Sequence, residues 1–384
     1  MPENYLPWAR KYRPNKLSDL VGQPVIVRTL TNSFKRGTLH TSYLFIGQFG
    51  SGKTSCARIV AAMENCERTP GVEPCGQCDI CRAVFAGRHE DIREIDAASE
   101  AGKVEQIRLL KDDMLYSPIA GAQTRYYIID ESHRMTPSAN DALLKTIEEP
   151  EAKVRFILCT TDPQKMAPTV GSRCQRYEFR KIMWPDMAER LAVIAEKEGI
   201  RAERPALNLC AKMAEGSLRN AIQNFEKLVN FSGTDSVLLS DAEKMFGTPG
   251  EMAFYALFDC AMNADNNSPD ATSGFRLIDE MLREGASFET IYQGLAAHLD
   301  RLMVGLTSSS AYEFVSVSED SKEALKSQLR RLDRRVSSVL SSLEKLSEVR
   351  QWVNANMPDH VPLRAWYLST LASMRRRNEE ATTS

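Results

Sequence analysis

The sequence has no run of about eighteen consecutive apolar residues, which excludes a membrane-spanning helix. Its first stretch, Met1 to Lys16, is polar and basic and lacks the apolar core of a signal peptide, so a cytoplasmic location with no membrane contact is expected. It lacks a charge excess of either sign: 49 Lys and Arg stand against 51 Asp and Glu, a formal net of −2. That balance excludes a protein that coats nucleic acid over its whole surface, although it permits a local basic patch. No internal repeat is visible, so the chain is not a repeat array.

What is present is ample apolar material. The 384 residues are 43% hydrophobic and 26% charged, enough for two or three globular domains. Charge is uneven along the chain: residues 1–60 hold nine Lys and Arg against only Glu3 and Asp19. Nine cysteines occur, many for a cytosolic chain, where stable disulfides are rare.

Between Tyr43 and Phe179 short apolar runs alternate with helix-length amphipathic runs. "SYLFIG" (42–47), "RYYIID" (125–130) and "RFILCTT" (155–161) predict buried strands, and "EIDAAS" (94–99) predicts another from a weaker pattern. The alternation points to a parallel α/β sheet. Beyond Arg180 the pattern turns helical over 184–230. Loops are expected at 231–236, 263–274 and 307–314. Leu325, Leu329, Leu332, Val336, Leu340, Leu343 and Leu346 trace an apolar stripe that predicts one long helix facing a core or a subunit. The final "RRRNEEATTS" reads as frayed.

Gly47-Gln48-Phe49-Gly50-Ser51-Gly52-Lys53-Thr54 matches GxxxxGK[ST]. It follows an apolar strand and precedes the helical run from Ser55, the context this phosphate loop requires. Its glycines let backbone N–H groups wrap phosphates, Lys53 neutralises the β- and γ-oxygens, and the Thr54 hydroxyl can ligate Mg²⁺. "YYIIDE" (126–131) supplies the complement: Asp130 brings a carboxylate to the Mg²⁺ shell, and Glu131 can act as general base toward water. Cys66, Cys75, Cys78 and Cys81, spaced C-x8-C-x2-C-x2-C, suit one tetrahedral Zn²⁺. No water-activating partner accompanies them, so a structural role is expected. Cys56, Cys159, Cys174, Cys210 and Cys260 sit in apolar or helical patterns and read as packing residues.

These motifs, with "ARKYRPNKLSDLVGQ" (9–23), "IDAAS" (95–99), "YYIIDESHRM" (126–135), "NDALLKTIEEP" (140–150), "CTTDPQKMAPTVGSRCQRYEF" (159–179) and "EGSLRNAI" (215–222), resemble the AAA+ clamp-loader ATPases of bacterial replication, the gamma/tau family of DNA polymerase III. The likeness is dense over residues 1–230. It implies an α/β P-loop AAA+ module over 1–180 with a zinc module at 64–83, a helical lid over 181–243, an all-helical collar that oligomerises over 244–375, and a disordered tail at 376–384. It implies ATP, Mg²⁺ and Zn²⁺ as cofactors. It implies that Val21 and Gly22 line the adenine pocket, that Thr161 senses the γ-phosphate, and that Arg219 is a second sensor on the lid. Through Ser172-Arg173-Cys174 it implies that Arg173 reaches the ATP site of a neighbouring subunit. The implied partners are copies of the chain and delta- and delta-prime-like subunits in a pentamer, a sliding clamp, and primer–template DNA. Lys103, Arg108 and Lys145 are the DNA-contact candidates. Two positions depart from the family pattern: Glu100-Ala101-Gly102 stands where a basic residue is common, and Gln48 replaces a usual Pro or Thr. Long members carry a C-terminal extension, so a chain ending at Ser384 is expected to be a short form.

Overall fold

The computed structural model describes residues 5–68, 73–98, 118, 120–148, 153–263, 270–307, 319–332, 336–353 and 357–382. The chain forms two compact units, Met1–Val237 and Leu238–Ser384. No helix among the described residues is long and apolar enough to cross a membrane.

The first unit opens with α1 (Trp8–Lys11) and α2 (Pro24–Arg36), then builds a parallel sheet from β1 (Ser42–Ile46), β2 (Ile92–Asp96), β3 (Arg125–Asp130), β4 (Val154–Thr160) and β5 (Gln175–Glu178). Their spatial order is β2-β3-β4-β1-β5. α3 (Lys53–Asn65) and α4 (Asp79–Phe85) lie between β1 and β2 in sequence, and α5 (Pro137–Glu148) and α6 (Pro168–Gly171) follow β3 and β4. Successive strand residues point to opposite faces, and two cores result. Tyr43, Phe45, Tyr126, Ile128, Ile157 and Cys159 pack with α2, α3 and the cysteine loop. Leu44, Tyr127, Ile129, Phe156 and Leu158 pack with α5 and α6. Both faces are covered, so β1, β3 and β4 read as continuous apolar runs.

Two strands depart from the sequence expectation. β2 occupies Ile92–Asp96 rather than 94–99. β5, "QRYE", carries no apolar run. Among the described residues it pairs only with β1, and an edge strand with one covered face can keep polar residues on the other.

After the sheet come α7 (Trp184–Glu198), α8 (Arg204–Lys212) and α9 (Leu218–Ser232). Ser217 caps α9 by accepting from the Asn220 N–H at 3.3 Å. The two-residue strands β6 (Arg201–Ala202) and β7 (Ser236–Val237) pair in parallel and tie the α7–α8 connection to the segment after α9. The N-terminus folds onto α9: the Trp8 ring lies 5.5 Å from Phe225, and the Trp8 N–H donates to Glu226 at 3.0 Å.

The second unit is helical: α10 (Leu239–Phe246), α11 (Glu251–Asn263), α12 (Asp270–Arg283), α13 (Phe288–Thr307), α14 (Glu319–Leu332), α15 (Val336–Val353) and α16 (His360–Thr382). The expected boundary at residue 243 falls inside α10, and the break between units lies ahead of that helix. Trp366, Tyr255, Phe258 and Tyr367 are fully buried in its core, and the Trp366 indole donates to the Ser342 carbonyl at 3.0 Å.

The apolar stripe expected on one long helix lies on two, α14 and α15. Leu325, Leu329 and Leu332 are buried, but on α15 the buried apolar positions are Val339, Leu346 and Val349, and Leu340 is 43% exposed. A second helix sets its own facing angle, so the spacing does not carry across. The loop expected at 263–274 is shorter, since α12 begins at Asp270, and most of 307–314 lies outside the described residues. The tail expected to be disordered at 376–384 continues α16 through Thr382. That run has no Gly or Pro to stop a helix.

Candidate nucleotide site and cysteine cluster

The carboxyl ends of β1, β3 and β4 meet at one edge of the sheet, where parallel α/β folds bind ligands. Ile46 is opposite Thr160 in the β1–β4 register, and the Gly47 N–H donates to the Thr160 carbonyl at 3.1 Å. The phosphate loop therefore starts directly beside the end of β4. Gly50 and Gly52 have φ of 75° and 103°, values that an L side chain rarely adopts. Lys53 begins α3 and is 5% exposed. Its ammonium donates to the Gly47 and Gln48 carbonyls at 2.7 and 3.0 Å. Burial pulls the Lys53 pKa down, opposed by the nearby Cys159, Asp130 and Glu131. Thr54 and Ser55 occupy the first turn of α3, whose free N–H groups and positive dipole end favour an anion.

The Thr54 hydroxyl donates to Asp130 Oδ2 at 2.7 Å. This puts two hard oxygen ligands side by side, which fits a Mg²⁺ ion that takes few protein ligands and shares phosphate oxygens. The next residue, Glu131, has φ 47° and accepts on Oε2 from the Thr161 hydroxyl at 2.9 Å. Sequence reasoning placed Thr161 near the γ-phosphate but did not foresee this bond to Glu131.

The α7–α9 group touches the loop directly. Gln48 Nε2 donates to the Glu215 carbonyl at 3.0 Å. A Cβ on Gly50 would fall 2.0 Å from Ser217 Oγ, so only glycine permits this approach. The Arg219 guanidinium lies 5.0 Å from the centre of the Phe49 ring. Arg219 thus stands beside the phosphate loop, stacked on one of its residues. Gly22 (φ 71°) backs onto Ile182, and a Cβ at this position would fall 3.2 Å from Ile182 Cγ2; Val21 beside it is half-buried. Gln23, which sequence reasoning missed, locks this turn: its side chain donates to the Arg180 carbonyl at 2.8 Å and accepts from the Arg180 N–H at 3.1 Å. A buried glutamine after a loop carries no local signal of its partner. Arg13 lies in the same region, its pKa pulled down first by burial and then by the charges of Arg58, Arg219 and Arg10, against the pull of Glu94.

Arg173 is elsewhere. It follows α6, its Nη1 donates to the Thr169 carbonyl at 2.9 Å, and its Nη2 pairs with Glu148 at 2.6 Å. None of these partners belongs to the phosphate loop. Lys145 lies on α5, and Lys103 and Arg108 lie outside the described residues.

The four cysteines converge. The Sγ atoms of Cys66, Cys75, Cys78 and Cys81 all lie within 4.8 Å of one another, with Cys75 and Cys81 at 4.0 Å. A tetrahedral Zn²⁺ with Zn–S of about 2.3 Å needs edges of about 3.8 Å, so a slight contraction completes the site. Backbone N–H groups of Gln77 and Cys78 donate to Cys75 Sγ at 3.4 and 3.3 Å. The Cys81 N–H donates to Cys78 Sγ at 3.4 Å. Such donors stabilise thiolates, the form that binds metal. Cys66 caps the C-terminus of α3, the helix that Lys53 begins. Glu73 in the same loop accepts from the Leu17 and Ser18 N–H groups at 3.0 and 3.2 Å. The cluster therefore braces the far end of the phosphate-loop helix. Cys56, Cys159, Cys174 and Cys210 are buried and Cys260 is half-buried, none of them in a disulfide.

Residues 22–183 match the family described as DNA polymerase III, delta subunit. The chain is 36% identical over 308 residues to DNA polymerase III subunit tau of Salmonella typhimurium, covering 80% of this chain and 47% of the relative. It is 43% identical over 219 residues to subunit tau/gamma of Haemophilus influenzae, covering 57% and 32%. It is 35% identical over 263 residues to subunit gamma of Buchnera aphidicola subsp. Schizaphis graminum, covering 68% of this chain and 72% of that one. The chain spans about half the length of the tau relatives. With a gamma subunit matched over more than two thirds of its length, the chain belongs to the gamma/tau family of DNA polymerase III subunits.

Proposed function

We propose that the chain is an ATPase subunit of a replication clamp loader, which uses ATP binding and hydrolysis to open a sliding clamp and load it on primer–template DNA. The observation that carries this reading is the meeting of Lys53, the Thr54–Asp130 pair and the Glu131–Thr161 pair at one sheet edge, in a chain of this family.

In this reading Lys53 and the α3 N-terminus hold the phosphates, and Val21 and Gly22 border the base. Thr54 and Asp130 hold Mg²⁺, whose charge offsets that of the phosphates. Glu131 takes the proton of the attacking water. Thr161 and Arg219 read the γ-phosphate from the sheet and from the lid. Arg173 completes the site of a neighbouring subunit, which makes hydrolysis depend on assembly. The cysteine cluster holds Zn²⁺ and has a structural role. Residues 1–180 form the nucleotide-binding module, 181–237 the lid, and the helical unit from Leu238 the collar that joins copies of the chain with delta- and delta-prime-like subunits in a pentamer. DNA contacts fall to Lys103, Arg108 and Lys145, so a narrow basic track suffices despite the net charge of −2. Phosphate contacts of that kind need only a few cations per subunit.

The test is ATP turnover measured with and without a clamp and primed DNA. Stimulation by the two together is expected. Turnover indifferent to both, with strand separation in their place, would refute the assignment.

A further inference from the structure

His133 stands next to the reacting centre, and the ATPase chemistry above gives it no task. The chain turns sharply after Asp130. The Glu131 N–H donates to Asp130 Oδ1 at 3.0 Å, the Ser132 hydroxyl donates to the Cys159 carbonyl at 3.0 Å, and the Arg134 N–H donates to the Glu131 carbonyl at 2.9 Å. At this turn Glu131 adopts a left-handed backbone, a conformation uncommon for a non-glycine residue. The turn aims His133 back at the sheet edge, where its side chain is 10% exposed.

There its Nδ1 lies 3.1 Å from Thr160 Oγ1 and 3.3 Å from Glu131 Oε2. Thr160 Oγ1 already accepts from the Asp162 N–H at 3.1 Å. An ionised carboxylate only accepts hydrogen bonds, so the ring nitrogen facing it is assigned the proton. Oε2 thus accepts from the Thr161 hydroxyl after β4 and faces His133 Nδ1, on the turn after β3, at 3.3 Å. Oε1 has no hydrogen bond among the described residues.

We propose that His133 is a positioning residue for Glu131. Together with Thr161 it fixes Oε2, and so leaves Oε1 as the edge that takes the proton from the attacking water. A general base contributes only when its lone pair is aimed at the proton it removes, and a misplacement of about 1 Å can cost about a hundredfold. This assignment rests on the ATPase reading.

The experiment uses the assembled complex with clamp and primed DNA. His133→Phe keeps the ring volume and removes the donor, and His133→Asn restores a donor near the Nδ1 position. The expected result is a kcat about 10- to 100-fold lower for His133→Phe, with KM and ATP affinity within about twofold of the parent. His133→Asn should recover most of the loss. In a Glu131→Gln background, His133→Phe should add nothing to the residual single-turnover rate, because the group it positions is gone. Where Phe lowers the melting midpoint, His133→Leu serves as the second donorless variant. Unchanged kcat in the donorless variants overturns the assignment. So does an Asn variant as slow as Phe, or an equal further loss in the Glu131→Gln background. A parent complex with no turnover overturns the ATPase reading along with it.

Discussion

Replacing Arg173 by Ala separates stability from chemistry, because the two consequences differ by several kcal/mol. Within its own chain Arg173 makes one exposed ion pair with Glu148, the side chains being 39% and 47% exposed. Pairs of that kind contribute about 0–1 kcal/mol, so the melting midpoint should move by no more than about 4 °C for a unit of this size. ATP affinity of the isolated chain should not change, since the Arg173 partners, Thr169 and Glu148, are both outside the phosphate loop. In the assembled complex the expectation is opposite. A guanidinium supplied in trans to a transferring phosphoryl group contributes about 10³- to 10⁵-fold in rate, or about 4–7 kcal/mol of barrier. Steady-state ATPase with clamp and primed DNA should therefore collapse, and Arg173→Lys should not restore it, because a point charge lacks the planar fork. Glu148→Gln, which only frees the arginine, should change turnover by less than about tenfold. Two results would refute the reasoning. One is assembled turnover within twofold of the parent. The other is loss of ATP binding by the isolated Arg173→Ala chain, which would place the arginine in its own site.

The other predictions test the remaining parts. Lys53→Ala should abolish nucleotide binding by the isolated chain, measured by equilibrium titration with a fluorescent ATP analogue; retained affinity would contradict its role on the phosphates. Cys75→Ser should release bound zinc and lower the melting midpoint of the first unit on the order of 4–8 °C, the equivalent of about 2 kcal/mol, and fully reduced parent protein without zinc by metal analysis would refute the site. His298 is buried between Tyr255 and Phe258, and its pKa is pushed down to about 3, chiefly by burial and then by the charge of Arg301, with Gln328 acting the other way. An unfolded histidine titrates near 6.5, so below that pH the unfolded chain binds a proton that the folded chain refuses. Stability should fall as pH drops from about 6.5 toward 3, by up to about 1.4 kcal/mol per unit from this group. Thermal midpoints at pH 7, 6 and 5 should show a shallower slope for His298→Leu, and an unaltered slope would count against the assignment.

Much of the site was legible because its parts are contiguous in the chain. Gly47 to Thr54 carries its own turn, its own cation and its own helix start, so spacing alone implies the geometry. The strand ending in Asp130-Glu131 and the C-x2-C-x2-C run are similar: a few bonds of backbone separate the groups that act together. β5 was not legible, because an edge strand with one exposed face shows no apolar run. The two-helix course of the stripe across α14 and α15 was hidden for a related reason: helical spacing repeats within an element and says nothing about where the next one faces.

The sequence by itself determined the phosphate-loop motif, the acidic strand end at Asp130-Glu131 and the four thiols. It also implied the alternating strands that bring them to one end of a sheet. Only the tertiary structure decided which distant residues complete them. Gln48 meets Glu215, Phe49 carries Arg219, Gln23 clasps Arg180, and Thr161 bonds Glu131 with His133 beside it. Each pair joins elements whose approach is set by core packing, and a side chain carries no mark of a partner that packing brings from elsewhere in the chain.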